Sequence, residues 1–146
     1  MLVLHYREAG EPANAAANAV KAAEKATMAL AFARAAEFYR VARELGAFEP
    51  AQVRELRTKL ADALAKAGRG GDAAVEFLAC VPGATAAEAL DLQRRAAEQY
   101  LRSGRIDEGL MAVRTVLAAV GLTLPKSPER AFLRLVWGRL RLRLRG

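Results

Sequence analysis

The chain contains one imidazole and one thiol, His5 and Cys80. A nucleophile needs an oriented base within hydrogen-bond reach, and a metal needs several ligands converging on one point. The two residues fall in different parts of the chain, with no second histidine or cysteine near either. His5 beside Tyr6 therefore reads as helix packing, and Cys80 as a small, inert core thiol. The acid pair Asp107 and Glu108 stands at an expected helix start, where negative charge complements the dipole. The run Gly68, Arg69, Gly70, Gly71 has no preceding strand and no following Lys-Ser or Lys-Thr pair. It reads as the tight turn of a helical hairpin rather than a phosphate cradle. These residues point to no catalytic set, no metal site and no cofactor, so the expectation is a protein that is not an enzyme.

The elements that carry these residues are helices. Apolar residues make up 53% of the chain but aromatics only 6%, and alanine and leucine dominate. Both lose little side-chain freedom in a helix, whereas strands need the β-branched and aromatic types that are scarce here. The class is all-α. Internal similarity organises it: Leu60 to Arg69, shifted by 36, falls on Ala96 to Arg105. Asp62 then meets Glu98, Lys66 meets Arg102, Gly68 meets Gly104 and Arg69 meets Arg105. The ladder Val53, Leu56, Leu60, Leu64 falls on Ala89, Leu92, Ala96, Tyr100, gaps that place each ladder on one helical face. Tyr6 to Gly10 reads as a truncated third copy. Pro12 and Pro50 suit a first helical position, Thr85 to Glu88 forms a capping box, and Ser127, Pro128 and Glu129 open a last helix. Gly46, Gly104 and Gly121 follow apolar-periodic segments and are expected to end helices in the left-handed conformation. Helices are expected over about 2–9, 12–30, 32–45, 51–67, 72–80, 85–103, 106–120 and 128–144.

The length suits a single domain over 1–146. No apolar run is long enough to span a bilayer, and Met1 to Glu8 lacks the pattern of a secretory signal. With one cysteine, this favours a reducing, cytoplasmic setting. The net charge of +7 is concentrated: Lys126 to Gly146 carries +6, and the other 125 residues carry +1. The basic character belongs to a terminal segment and does not mark the whole surface for nucleic acid.

The repeat resembles the tetratricopeptide repeat. Leu60, Ala61, Leu64, Gly68, Ala73, Phe77 and Cys80 take that family's pattern positions in one unit. Ala96, Ala97, Tyr100, Gly104, Gly109, Val113 and Val116 take them in the next, and Ala35, Tyr39 and Ala42 repeat the second-helix part. Arg57 and Gln93 depart from it where the family places a large apolar residue, and the closing proline is missing or displaced to Pro82. The resemblance implies a superhelix of about three to four antiparallel hairpins, truncated at both ends. Its approximate units are 1–30, 32–67, 72–103 and 106–144. His5, Tyr6, Ala31, Phe32, the Gly104 to Gly109 run, Gly121 to Pro125 and the arginine-leucine end are together similar to a wider class. These are large bacterial signalling proteins that join a serine/threonine kinase, a regulatory (STAND-type) ATPase and a tetratricopeptide-like region. No kinase or ATPase motif is present, so the resemblance implies a piece of such a protein. The incomplete hairpin at the start and a helix running to Arg145 and Gly146 agree with that.

In that family the first helices of the hairpins line a concave groove for protein or peptide. The positions carried over are Glu55, Thr58, Lys59, Asp62, Lys66, Asp91, Arg94, Arg95, Glu98 and Arg102. An exposed strip of mixed charge is equally well a merely solvated face. Asp62 and Glu98 stand where carboxylate-clamping members carry asparagine, and their charge argues against a C-terminal carboxylate ligand. The implied function is a non-catalytic protein–protein interaction scaffold, with a partner in cis or in trans. In the segment 128–145, Leu133, Val136, Trp137, Leu140 and Leu144 form an apolar stripe. Arg130, Arg134, Arg141 and Arg145 form a basic one, flanked by Arg139 and Arg143. The favoured reading is the first helix of a further hairpin, covered by folding back or by a homodimer partner. The alternative is association with an anionic membrane surface or a nucleic-acid backbone. Both of those partners are disfavoured.

Overall fold

A computed structural model describes residues 12–122. The expected helices over 2–9 and 128–144 lie outside the described residues, and with them His5, Tyr6, Trp137 and the basic set Arg130, Arg134, Arg139, Arg141, Arg143 and Arg145. The described part is all-helical: α1 (Pro12–Met28), α2 (Phe32–Leu45), α3 (Pro50–Lys66), α4 (Gly70–Ala79), α5 (Ala86–Arg102) and α6 (Ile106–Ala119). Each boundary falls within two residues of the expectation. None of these helices is long and apolar enough to cross a membrane.

Capping explains the starts. Pro12 and Pro50 occupy first positions, where a missing amide hydrogen removes no helical bond. At α5 the expected box is closed. The Glu88 amide donates to the Thr85 hydroxyl at 3.3 Å, and the Thr85 amide donates to the Glu88 carboxylate at 2.8 Å. The Thr85 amide above all, and then the Thr85 hydroxyl donating to the same carboxylate at 3.0 Å, hold the Glu88 carboxyl below its ordinary pKa. A second reciprocal contact that the sequence reading missed sits at α3, where the Glu49 amide donates to the Gln52 side-chain oxygen at 3.0 Å.

Three of the connections share one geometry. At the ends of α1, α3 and α5, the amides of Ala31, Arg69 and Arg105 donate to the carbonyls of Ala26, Leu64 and Tyr100. The preceding amides, of Leu30, Gly68 and Gly104, donate to Thr27, Ala65 and Leu101. This doubly bonded ending satisfies carbonyls that the helix leaves without partners. The next helix begins at once, with Ala35, Ala73 and Gly109 donating back to Ala31, Arg69 and Arg105. The described residues therefore form three hairpins of like geometry, α1–α2, α3–α4 and α5–α6. Grouped this way, the hairpins run 12–45, 50–79 and 86–119, out of phase with units divided at 32–67 and 72–103.

The turn requires one residue in the left-handed region. Gly68 and Gly104 supply it at φ +78°, but in the first hairpin Leu30 is held at φ +58°. An L-residue there costs about 1–2 kcal/mol, and Leu30 is exposed, so its side chain recovers little by burial. Leu30→Gly is expected to raise stability by about 1 kcal/mol, part of the relief being offset by the greater freedom of glycine in the unfolded chain. Urea denaturation reads this directly. An unchanged or lowered midpoint would remove the claim that the three turns are equivalent.

Two expectations about glycine are corrected. Gly70 and Gly71 belong to α4 and not to the turn, so that helix starts two residues before the expected 72–80. Gly68 alone supplies the left-handed step, and Gly70 is needed for a different reason. A Cβ on Gly70 would stand 2.8 Å from the backbone oxygen of Gln99, so its absence lets the start of α4 lie against the end of α5. Gly46 is extended (φ −94°, ψ 138°) rather than left-handed. The Phe48 ring occupies the space a Cβ would take, at 2.1 Å.

Extensive packing is confined to helices adjacent in sequence. Neighbours are antiparallel: Lys66 at the end of α3 lies over the Phe32 ring at the start of α2, as the end of α5 lies at the start of α4. Alternate helices run in parallel, linked by Lys59 to Glu24 and by Arg95 to Asp62. The result is two layers, α1, α3 and α5 in one, α2, α4 and α6 in the other. Between them lies a core that changes along the chain. The first hairpin closes almost entirely on alanine (Ala15, Ala16, Ala19, Ala23, Ala35, Ala36), with Tyr39 its one buried aromatic side chain. The second closes on Leu56, Leu60, Leu64, Phe77 and Cys80. One-carbon side chains let helix axes approach closely, and the larger residues fill the space where hairpins meet.

Candidate functional site

The first-layer helices α3 and α5 present their exposed faces side by side, and the strip of expected groove residues lies along them. The structure divides it into parts. Glu55, Thr58, Asp91 and Arg95 line one open cleft of about 560 Å³. The cleft lies toward the starts of both helices. The α4 helix between them in sequence is short, and the link over 80–85 that follows it contributes Ala84 to the lining. Arg54, Glu88 and the apolar residues Ala51, Ala84, Ala87 and Leu92 complete the lining.

The charges of the strip, apart from Lys66, are held in ion pairs. Lys59 bonds Glu55 of its own helix at 3.0 Å and Glu24 of α1 at 3.3 Å. The Glu55 contact above all holds the Lys59 ammonium above the ordinary lysine pKa, against the opposing effect of burial, and Glu24 adds a smaller share. Arg94 bonds Asp91 at 2.9 Å and Glu98 at 3.6 Å, and Arg102 reaches Glu98 at 3.4 Å. Arg95 donates to Asp62 across the gap between α3 and α5, and its guanidinium lies 4.1 Å from the centre of the Phe77 ring. This stack joins the cleft to the core. Lys66 and Arg102 stand at the opposite end, Lys66 over Phe32 and Arg102 beside a smaller cleft with Gly68, Gly70 and Ser103. The ten residues thus share one face, but only four of them bound the principal cleft.

Arg54 and the alanine floor were missed by the sequence reading. Arg54 falls outside both the matched run Leu60 to Arg69 and the apolar ladder from Val53, and alanines in a helix-rich sequence read as helix formers rather than as lining. Arg54 is one turn before Thr58 on the same face, a spacing that would have placed it. It donates to the carbonyl of Gly83 and so ties the link after α4 to α3. Glu24, reached by Lys59, extends the charged strip onto α1.

The chemistry elsewhere is quiet. Cys80 is buried, with the Thr58 hydroxyl 3.7 Å and the Arg54 carbonyl 3.6 Å from its sulfur. Burial above all pushes its thiol pKa up, which keeps the reactive thiolate scarce. Asp107 and Glu108 lie in the first turn of α6, Glu108 paired to Arg105 at 2.7 Å. No cluster of three or more His, Cys, Asp or Glu able to hold a metal occurs among the described residues. What the face offers is shape and paired charge: an apolar floor between two helices, rimmed by alternating acids and bases that can exchange partners with an incoming chain. No protein-family model, curated protein or solved structure matches the chain.

Proposed function

We propose that the protein is a tetratricopeptide-like superhelix acting as a non-catalytic scaffold, which binds a protein or peptide along the first-layer face of α3 and α5. One observation carries this reading: the cleft bounded by Glu55, Thr58, Asp91 and Arg95 lies over the apolar floor of Ala51, Ala84, Ala87 and Leu92. An apolar trough with polar, adjustable rims suits a peptide segment that buries small apolar side chains and pairs its charges at the edge. The recurring hairpin supports the superhelix, because each pair of helices leaves a face that only the next pair covers. The nature of the partner follows from the rim, which holds both signs of charge in near balance and therefore favours a mixed-charge segment over a polyanion. The resemblance to the tetratricopeptide-like part of bacterial kinase and ATPase signalling proteins supports a regulatory setting in the cytoplasm.

A peptide selected on the chain from a random display library provides the probe. Ala87→Arg should weaken its binding by about tenfold or more, equivalent to roughly 1.4 kcal/mol. Ala87 is exposed and lines the cleft, so the arginine fills the trough without entering the core. The combined reversal of Lys59, Arg94 and Arg102 to glutamate should do likewise by repelling acidic side chains of the peptide. Calorimetric titration measures both. Affinity unchanged in both variants would dismiss this face as the binding surface.

A further inference from the structure

Equivalent positions of the three hairpins are not equally covered. Five residues past the shared turn stand Ala36, Ala74 and Leu110, which are 1%, 0% and 39% exposed. Eight residues past it, Tyr39 and Phe77 are buried and Val113 only half so. One residue past it, Phe32 lies under Lys66 of α3 and Gly70 against Gln99 of α5, whereas Ile106 is 52% exposed. In the first two hairpins the following first-layer helix provides the cover, α3 over α2 and α5 over α4. On α6 the same positions, Ile106, Leu110 and Val113, are continued by Leu117 one turn further into an apolar stripe spaced three and four apart, with no described helix over it.

We propose that the chain covers this stripe itself, the segment 128–145 docking along α6 as a fourth first-layer helix. The inference goes beyond the binding face on α3 and α5 and is independent of it. Two features of the sequence select this occupant. Eight residues separate Ala119 from Pro128, against four and six in the two links that join earlier hairpins. The segment carries its own apolar stripe, Leu133, Val136, Trp137, Leu140 and Leu144, at matching spacing. Charge agrees with the direction of docking. The end of α5 lies at the start of α4, so the same geometry brings Arg141 and Arg145 to the start of α6. That turn holds Asp107 and Glu108, and Asp107 has no ion-pair partner among the described residues. Docking places the segment's apolar stripe against α6 and uses its arginines on the acidic turn.

Trp137 is the only tryptophan of the 146 residues, so its fluorescence reports on this contact alone. Docking predicts blue-shifted emission, independent of protein concentration, in a chain that sediments as a monomer. Leu110→Glu should shift the emission to the red with the far-ultraviolet circular dichroism otherwise kept. If that variant fails to fold, Asp107→Arg, at an exposed site without described contacts, should move the emission in the same direction. Wild-type emission typical of solvent-exposed tryptophan would overturn the proposal. So would emission unmoved by substitution on α6, and so would a blue-shifted dimer whose emission reddens on dilution, which would assign the stripe to a second copy.

Discussion

Phe77→Ala is expected to remove about 3–5 kcal/mol of stability, the range for deleting a buried phenyl ring that its surroundings cannot replace. Phe77 is among the largest fully buried side chains, and it stands where the second hairpin meets the third. Around it, Ala73 and Ala74 are fixed by helix contact and too short to move into the void, so the cavity term remains. The Arg95 guanidinium above the ring loses its stacking surface as well, which couples the loss to the cleft. Since small domains are stable by only about 5–15 kcal/mol, the change should be plain in urea denaturation. Val113→Ala provides the internal comparison. It occupies the equivalent place in the last hairpin, is half-buried, and should cost about 1 kcal/mol or less. Equal losses at the two positions would contradict the alignment of the hairpins.

Glu76→Ala is expected to cost about 2 kcal/mol. Glu76 accepts from Arg43 of α2 at 2.9 Å and from Arg57 of α3 at 3.0 Å, so one carboxylate joins three helices. Its side chain is 16% exposed, while Arg43 and Arg57 are 24% and 32% exposed. That places the network between surface pairs, worth about 0–1 kcal/mol, and broken buried pairs, which cost about 3–5 kcal/mol. Removing the acid leaves two guanidiniums facing each other with no anion between them. Glu76→Gln keeps the shape and part of the hydrogen bonding, and should lie between wild type and alanine. Chemical denaturation of the three proteins at low and high salt tests this. The alanine variant should recover part of its loss as salt screens the two arginines. No loss in either variant would show that the acid carries none of the helix-to-helix connection.

The elements were legible because their signals are local. Alanine and leucine content, the caps at Pro50 and Thr85, and the glycines after α3 and α5 each act within a turn of helix. The first hairpin was harder. Its turn stands 38 residues before the next, against 36 for the following pair, so a fixed shift misses it. Leu30 also takes the place that glycine marks in the other two. Gly70 and Gly71 misled for a different reason: a pair of glycines suggests a turn, but here the missing Cβ serves contact between α4 and α5, which depends on residues thirty positions away. The face of the candidate site was legible from which helix turns match, because first-layer positions recur. The cleft itself was not. It arises from the short α4 and from Arg54 holding the following link, neither of which has a repeat signature. Arg57 appears in the sequence as a defect in the family pattern, and in the fold it is half of the clamp on Glu76.

The claim on which the functional reading rests is that ligand enters between α3 and α5 on the first-layer face. Amide chemical-shift mapping of the full-length chain with a library-selected peptide tests it most directly. The perturbed amides should gather around Thr58, Ala87, Asp91 and Arg95 and fade toward α6. Perturbations centred instead on the second layer, at Arg40, Val75 and Arg114, would contradict it.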